Sequence, residues 1–430
     1  MSGNIYDELK ERGFIAQVSH EGAVREMLGR PPATFYIGYD GTAASLHAGS
    51  LVPIMAMVHL RRAGHRALAV IGNGTTMVGD PSGKTELRRM LDAETIRTYG
   101  RAVRAQLDCY LKFDGTGAMA VDNADWLLPL NYIEFLRDIG RHFSVNRMLA
   151  AEAYKLRLEK GLSFIEFNYQ LLQAYDYLHL HRAFGCALQM GGDDQWGNIL
   201  AGVDLIRRVE GAEVQAMTFP LLTTSSGAKM GKTAQGAIWL DPALCSPYDF
   251  YQYWVNTDDR DVGRFLRIYT LLPLDEIRRL DVLRDSERNE AKRILAFEAT
   301  KLTHGEKAAT DAKAASHAAF QRVHVQDTVL VVDDSTIKIT SDNITLLPTT
   351  RVARHRLEAG LSPAELFTEV GLTPSRAEAK RLIKQGGLHI NDERLDSLER
   401  MVTPADFGPE GMLLKAGKKK FHRIVLADGN

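Results

Sequence analysis

Between residues 34 and 240 short apolar runs recur, each followed by glycine or polar residues and then by a stretch with helical spacing. Thr34-Phe35-Tyr36-Ile37-Gly38 is the first run, and beyond a polar loop the apolar positions from about Ser50 to Ala63 predict a helix. Ala67 to Ile71 is a second run, ending at Gly72-Asn73-Gly74. Ala187 to Met190 is another, ending at Gly191-Gly192. Strand, glycine-rich turn and helix in repetition predict an α/β fold with a parallel sheet and ligands at the carboxyl ends of its strands.

The pattern changes after Leu240. Pro242, Pro247 and the cluster Tyr248, Phe250, Tyr251, Tyr253 and Trp254 mark a boundary, and from Glu276 to Phe320 the chain is rich in Ala, Lys, Arg and Glu at helical spacing. Residues 321–350 are polar and β-branched and read as a connector. The last 80 residues read as a small α/β unit. The expected organisation is a Rossmann-like sheet domain over 1–245, a helical domain over 246–320, a linker over 321–350 and a small α/β domain over 351–430.

With 430 residues, 45% hydrophobic and 25% charged, the chain has the composition of a multidomain globular protein. No apolar run approaches the ~20 residues that span a bilayer. The polar, acidic start from Met1 to Lys10 suits neither a secretory signal nor a basic transit peptide. Cys109, Cys186 and Cys245 lie far apart without metal-ligand spacing and read as reduced thiols, so no metal site, no membrane and a cytoplasmic setting are expected. Net charge is −1, which excludes a polycation. Residues 351–430 nevertheless carry 14 Lys+Arg against 11 Asp+Glu, so a nucleic acid would be held by a local patch.

Two segments imitate phosphate loops: Gly79-Asp80-Pro81-Ser82-Gly83-Lys84-Thr85 and Gly227-Ala228-Lys229-Met230-Gly231-Lys232-Thr233. A Walker A loop has four residues between its glycines and both segments have three, so neither is one. Gly72-Asn73-Gly74 lacks the third glycine of a dinucleotide fingerprint, because Met77 stands there. Two other segments suit a nucleotide differently. In His47-Ala48-Gly49-Ser50 the small residues leave room for ribose and phosphates near a helix N-terminus, where the dipole favours anions. A lone His before a helix is more often a cap. Lys229-Met230-Gly231-Lys232-Thr233 offers two cations on a flexible loop, which alone reads as a solvated basic turn.

Between them, a helix predicted from about Phe164 to His181 is apolar over most of its circumference. Tyr169, Gln173 and Asp176, spaced 4 and 3 apart, share one of its faces. Buried polar groups without partners cost ~1–3 kcal/mol each, so these three should meet either each other or a polar ligand. Near the C-terminus, Ser375 to Gly387 reads as a helix begun after Pro374 and ended by glycine. Arg376, Lys380 and Lys384 form a basic stripe on it, with Ala379, Leu382 and Ile383 inward. A strand Leu388–Asn391 follows, and Lys418-Lys419-Lys420 sits at an expected hairpin turn.

Taken together, His47–Ser50 and Lys229–Thr233 resemble the HIGH and KMSKS motifs of class I aminoacyl-tRNA synthetases, and Gly231 is similar to the tyrosyl branch. Tyr169–Asp176 and Gly191–Asn198 resemble that branch's amino-acid pocket, and the last 80 residues resemble an S4 RNA-binding domain. The resemblance implies activation of L-tyrosine by ATP, with Mg2+ carried on the nucleotide, and transfer to tRNA(Tyr) by a homodimer. By it, Tyr36 and Asp176 bond the phenolic hydroxyl, Asp80, Tyr169 and Gln173 hold the ammonium, and Gln195 lies near the carboxylate. A site of this kind rejects phenylalanine by ~10⁵, a magnitude known for tyrosyl enzymes themselves and not obtained from this chain. Asp194 contacts the ATP ribose, with Gly38, Asp40, Gly49, Ser50, Gly192 and Lys232 also at the nucleotide. Thr42 and His47 touch the γ-phosphate, while Lys84, Arg88, Lys229 and Lys232 grip pyrophosphate. Arg376, Lys380, Lys384, Lys418 and Lys419 face RNA.

Three positions depart from the family pattern. Ser50 replaces the second histidine of the first motif, Ile37 cannot bond a ribose through its side chain, and Pro53 is tolerable only in the first turn of its helix. A tryptophanyl synthetase, a nucleotidyltransferase of the same superfamily and a non-catalytic RNA-binding protein remain as alternatives.

Overall fold

The computed structural model describes residues 3–82, 91–150, 154, 158, 161–227, 230–233, 236–321, 347–358, 360–391, 393–417 and 420–427. Contacts divide the chain into two units: residues 1–244 with 257–291, and 245–256 with 292–430. Residues 257–291, expected in the helical segment, therefore cluster with the sheet. Among the described residues no helix is long and apolar enough to cross a membrane.

The first unit is built on a five-stranded parallel sheet: β1 (Thr34–Tyr39), β2 (Arg66–Ile71), β3 (Ala118–Asp122), β4 (Cys186–Gly192) and β5 (Gln215–Phe219), in spatial order β3-β2-β1-β4-β5. This is the Rossmann-like α/β arrangement that the pattern predicts. Chain order reverses between β1 and β4, and at such a switch point the loops leaving neighbouring strands diverge and open a crevice. β1 and β2 are almost wholly buried because helices flank them, which explains their continuous apolar runs.

The helix Leu51–Arg62 starts with Pro53 at its third position, where the missing N–H has no intrahelical partner to lose. The helix expected from Phe164 to His181 is two helices, Phe164–Phe167 and Tyr169–Phe184, meeting at Asn168. Ser163 and Glu166 form a capping box that starts the first, and Gly185, in the left-handed region, ends the second.

The helix Tyr169–Phe184 packs closely on Trp196–Glu210, because Gly202 presents no side chain to Tyr177. Tyr177 is fully buried, and its hydroxyl donates to the Gln215 carbonyl of β5 at 2.8 Å.

The second unit contains the aromatic helix Pro247–Val255, the helix Glu306–Gln321, and a five-stranded mixed sheet. That sheet comprises β6 (Thr349–Ala353), β7 (Leu388–Ile390), β8 (Glu393–Arg394), β9 (Met412–Ala416) and β10 (Lys420–Ala427). The connector lies almost entirely outside the described residues. The helix Arg376–Lys384 is capped by Ser375 and buries Ala379 and Ile383, with Leu382 half-buried. Its stripe of Arg376, Lys380 and Lys384 is exposed.

Gly202→Val places branched carbons where an added Cβ already lies 3.0 Å from the Tyr177 ring. A destabilisation of about 1–3 kcal/mol is expected, read as a lower thermal midpoint. An unchanged midpoint contradicts this packing.

Candidate functional site

A cavity of about 250 Å³ opens at the carboxyl ends of β1, β2 and β4. It brings together Tyr36, Gly38, Asp40, Ser50 and Asp80 with Tyr169, Gln173, Asp176, Gly192 and Gln195, residues drawn from five separate stretches of sequence. Tyr36, third in β1, pairs in register with Leu68 of β2 and Gln189 of β4. Its phenol is buried, and its hydroxyl has no hydrogen-bond partner among the described residues, as has Oε1 of Gln173. Burial, with the negative charge of Asp176 adding to it, keeps the Tyr36 hydroxyl protonated far above its ordinary range.

Asp176 is 4% exposed. Trp126 Nε1 donates to its Oδ1 at 2.7 Å and Asn123 Nδ2 to its Oδ2 at 3.0 Å. Burial pushes its carboxyl up to about 7, and these two bonds offset only part of that rise. Trp126 is held in turn by stacking on His179, with ring centroids 4.4 Å apart.

The remaining polar groups form a second cluster. Gln195 Nε2 donates to Asp80 Oδ2 at 2.8 Å, and Asn198 donates to Gln195 Oε1 at 3.2 Å, which orients the amide. Tyr169 Oη donates to Asp40 Oδ2 at 3.3 Å. Asp194 is half-buried beside Gly192, and burial raises its carboxyl, with Asp80 adding to the effect. The site therefore presents carboxylates and amides in a water-poor cleft, suited to a polar ligand bearing both a hydroxyl and a cationic group.

A family model described as tRNA synthetases class I (W and Y) matches residues 29–321, and one described as Tyrosine--tRNA ligase SYY-like C-terminal domain matches residues 345–424. The chain belongs to the class I tRNA synthetases. It is 54% identical over 421 residues to Tyrosine--tRNA ligase of Syntrophus aciditrophicus (strain SB), covering 97% of this chain and 98% of that one. It is 50% identical over 430 residues to Tyrosine--tRNA ligase of Desulfatibacillum aliphaticivorans, covering 100% of each. Among solved structures, a C-terminally truncated Aspergillus nidulans mitochondrial tyrosyl-tRNA synthetase superposes with a TM-score of 0.66 at 29% identity, covering 72% of this chain and 92% of that one.

The two motifs of this class I synthetase touch. Ala48 N–H donates to the Ile238 carbonyl, Leu240 N–H to the Leu46 carbonyl and Ile238 N–H to the Gly231 carbonyl, each at 2.8 Å. This short ladder lays the second motif against the first. Gly231 has φ +78°, and a Cβ there would stand 2.6 Å from Gly49 N. A Cβ on Gly49 would stand 2.8 Å from the Met230 carbonyl oxygen. In this conformation, then, the space beside Gly49 holds the second motif. His47 caps the short helix Ala48–Ser50 by accepting from Gly49 N–H at 3.0 Å, and Ser50 Oγ accepts from His47 N–H at 3.5 Å. The serine that replaces the second histidine thus closes a capping box.

Thr42 is exposed and, like His47, Gly49 and Asp194, does not line the cavity. Lys84, Arg88, Lys229, Lys418 and Lys419 lie outside the described residues, as does the side chain of Lys232, whose backbone is in the short strand Lys232–Thr233. In the second unit Arg376 is paired with Glu365 at 3.3 Å. Sequence reasoning missed Trp126, Asn123 and Thr75; the one signal was an Asn-Ala-Asp-Trp run directly after a short strand. Among the described residues no cluster of His, Cys, Asp or Glu could hold a metal.

A carboxyl raised in the folded state destabilises the fold once it ionises: the contribution is favourable below the unfolded value near 4 and is lost as pH rises through about 7. Asp176→Asn removes that dependence. Its stability relative to the parent should rise between pH 4 and pH 8, by on the order of 4 kcal/mol in the limit. Thermal midpoints of both proteins across that range check this, and a difference that stays constant with pH contradicts it.

Proposed function

We propose that the chain is a tyrosine–tRNA ligase that activates L-tyrosine with ATP and transfers it to the 3′-terminal ribose of tRNA(Tyr). Full-length relatives near 50% identity support the reaction. The observation that carries the substrate is the buried Tyr36 hydroxyl facing the same cavity as Asp176. A phenolic ligand can donate to Asp176 and accept from Tyr36, whereas indole has no hydroxyl to offer. This favours tyrosine over tryptophan within the family.

In the first step the tyrosine carboxylate attacks the α-phosphorus of ATP, forming tyrosyl-adenylate and releasing pyrophosphate. In the second, the ribose hydroxyl of tRNA attacks the activated carbonyl and AMP leaves. No side chain acts as nucleophile. Asp80, Tyr169 and Gln173 hold the substrate ammonium, and Gln195 steadies the carboxylate end. Gly38, Asp40, Gly49, Ser50, Gly192 and Asp194 take the nucleotide, with Thr42 and His47 toward its γ-phosphate. Lys84, Arg88, Lys229 and Lys232 bind the leaving pyrophosphate, whose charge grows in the transition state, so their contribution raises the rate more than ground-state affinity. Mg2+ enters with ATP as part of the substrate.

The domain of residues 351–430 binds tRNA through Arg376, Lys380, Lys384, Lys418 and Lys419. A homodimer working in the cytoplasm completes the proposal. Eight of the thirteen exposed large apolar side chains among the described residues fall between Leu128 and Ile165, with Phe164 the most exposed at 70%. A surface of that kind is suited to a second copy of the chain.

ATP–pyrophosphate exchange with each of the twenty amino acids tests the proposal. Exchange with tyrosine, reduced by at least tenfold in Lys232→Ala while tyrosine affinity barely moves, is expected. Exchange with tryptophan instead, or with nothing, overturns it.

A further inference from the structure

Two carboxylates of the cavity wall, Asp40 and Asp176, are joined through two buried side chains. Gly74 N–H donates to Asn123 Oδ1 at 2.7 Å, which fixes the orientation of that amide. Its Nδ2 group therefore points both protons away from Gly74. One goes to Asp176 Oδ2 at 3.0 Å and the other to Thr75 Oγ1 at 3.0 Å. Having accepted from Asn123, the Thr75 hydroxyl has one proton to give. Asp40 Oδ1 stands at 2.8 Å and the Gly72 carbonyl at 3.2 Å, so the shorter bond, to the carboxylate, is favoured. Thr75 is 2% and Asn123 1% exposed, so water cannot substitute at either link.

Gly72 is required for this chain of bonds, since a Cβ there would lie 2.1 Å from Asp40 Oδ1 and 2.7 Å from Thr75 Oγ1. Tyr169 donates to the other oxygen of Asp40. The relay thus runs from Asp176 through Asn123 and Thr75 to Asp40 and on to Tyr169.

We propose that Thr75 is a positioning residue whose hydroxyl couples the phenol-reading carboxylate Asp176 to Asp40 at the nucleotide side of the cavity. The proposal rests on the tyrosine-ligase reading. Removing the hydroxyl leaves an Asn123 N–H buried without an acceptor and removes a donor from Asp40, so both ends of the site loosen together. A residue that merely filled space would not link the two.

The test compares Thr75→Val, close to isosteric but without the hydroxyl, with Thr75→Ser, which keeps it. The readout is kcat/KM in ATP–pyrophosphate exchange for tyrosine and for phenylalanine, with KM for ATP. Thr75→Val should lower the tyrosine-to-phenylalanine ratio about tenfold and raise KM for ATP, and Thr75→Ser should restore both. Equal losses toward the two amino acids overturn the relay. If Thr75→Val does not fold, Asp40→Asn carries the same test from the far end: a reduced ratio supports the coupling and an unchanged ratio overturns it. A parent protein without tyrosine-dependent exchange removes the ligase reading and the relay with it, whereas normal parent exchange with equal variant losses removes the relay alone.

Discussion

A carboxylate taken out of water needs donors aimed at it, and the arrangement around Asp176 follows from that requirement. Its two oxygens accept from Trp126 and Asn123, yet burial still lifts the carboxyl to about 7. Two donors are too few to stabilise the charge fully, which leaves acceptor capacity directed into the cavity. Tyr36 adds a buried hydroxyl at the same place. The neighbouring structure is consistent with holding this pair. Trp126 is stacked on His179, Asn123 is fixed by the Gly74 amide, and glycine at 72 and 74 lets the backbone of the turn after β2 approach closely.

The two motifs are organised by backbone contact instead. Gly49 and Gly231 face each other at a distance that admits no side chain on either, and three main-chain hydrogen bonds hold the two motifs in register. In Gly231 the positive φ adds a second reason for glycine. In the proposed reaction, identity of the substrate depends on buried side chains on helices and strands, and the leaving group is assigned to the lysines of the second motif, whose Gly231 a short ladder keeps near the first.

Much of this was legible in the sequence where the signal is local. β1, β2 and β4 are compact apolar runs ended by glycine, and the face shared by Tyr169, Gln173 and Asp176 follows from helical spacing alone. β3 and β5 were harder. Gln215-Ala-Met-Thr-Phe is buried throughout, but its Gln215 and Thr218 are satisfied by Ser19 and Asp193 from distant segments, so polarity masks the strand. The break at Asn168 was foreshadowed by the Ser163 and Glu166 capping pair, yet the long apolar run obscured it. Thr75, Asn123 and Trp126 could not be read from spacing, because their meaning lies in a partner on another element. Ser50, which stands where the family pattern has a second histidine, is part of a cap in the folded chain, and that role depends on the backbone of His47 rather than on the motif.

Proton uptake or release on tyrosine binding, measured calorimetrically at pH 6 in buffers of different ionisation enthalpy, tests the central claim most directly. If Asp176 is mostly protonated in the free protein and must accept the phenolic hydroxyl alongside Trp126 and Asn123, binding should release close to one proton, and Asp176→Asn should release none. Binding of tyrosine with no proton released by the parent would contradict the account.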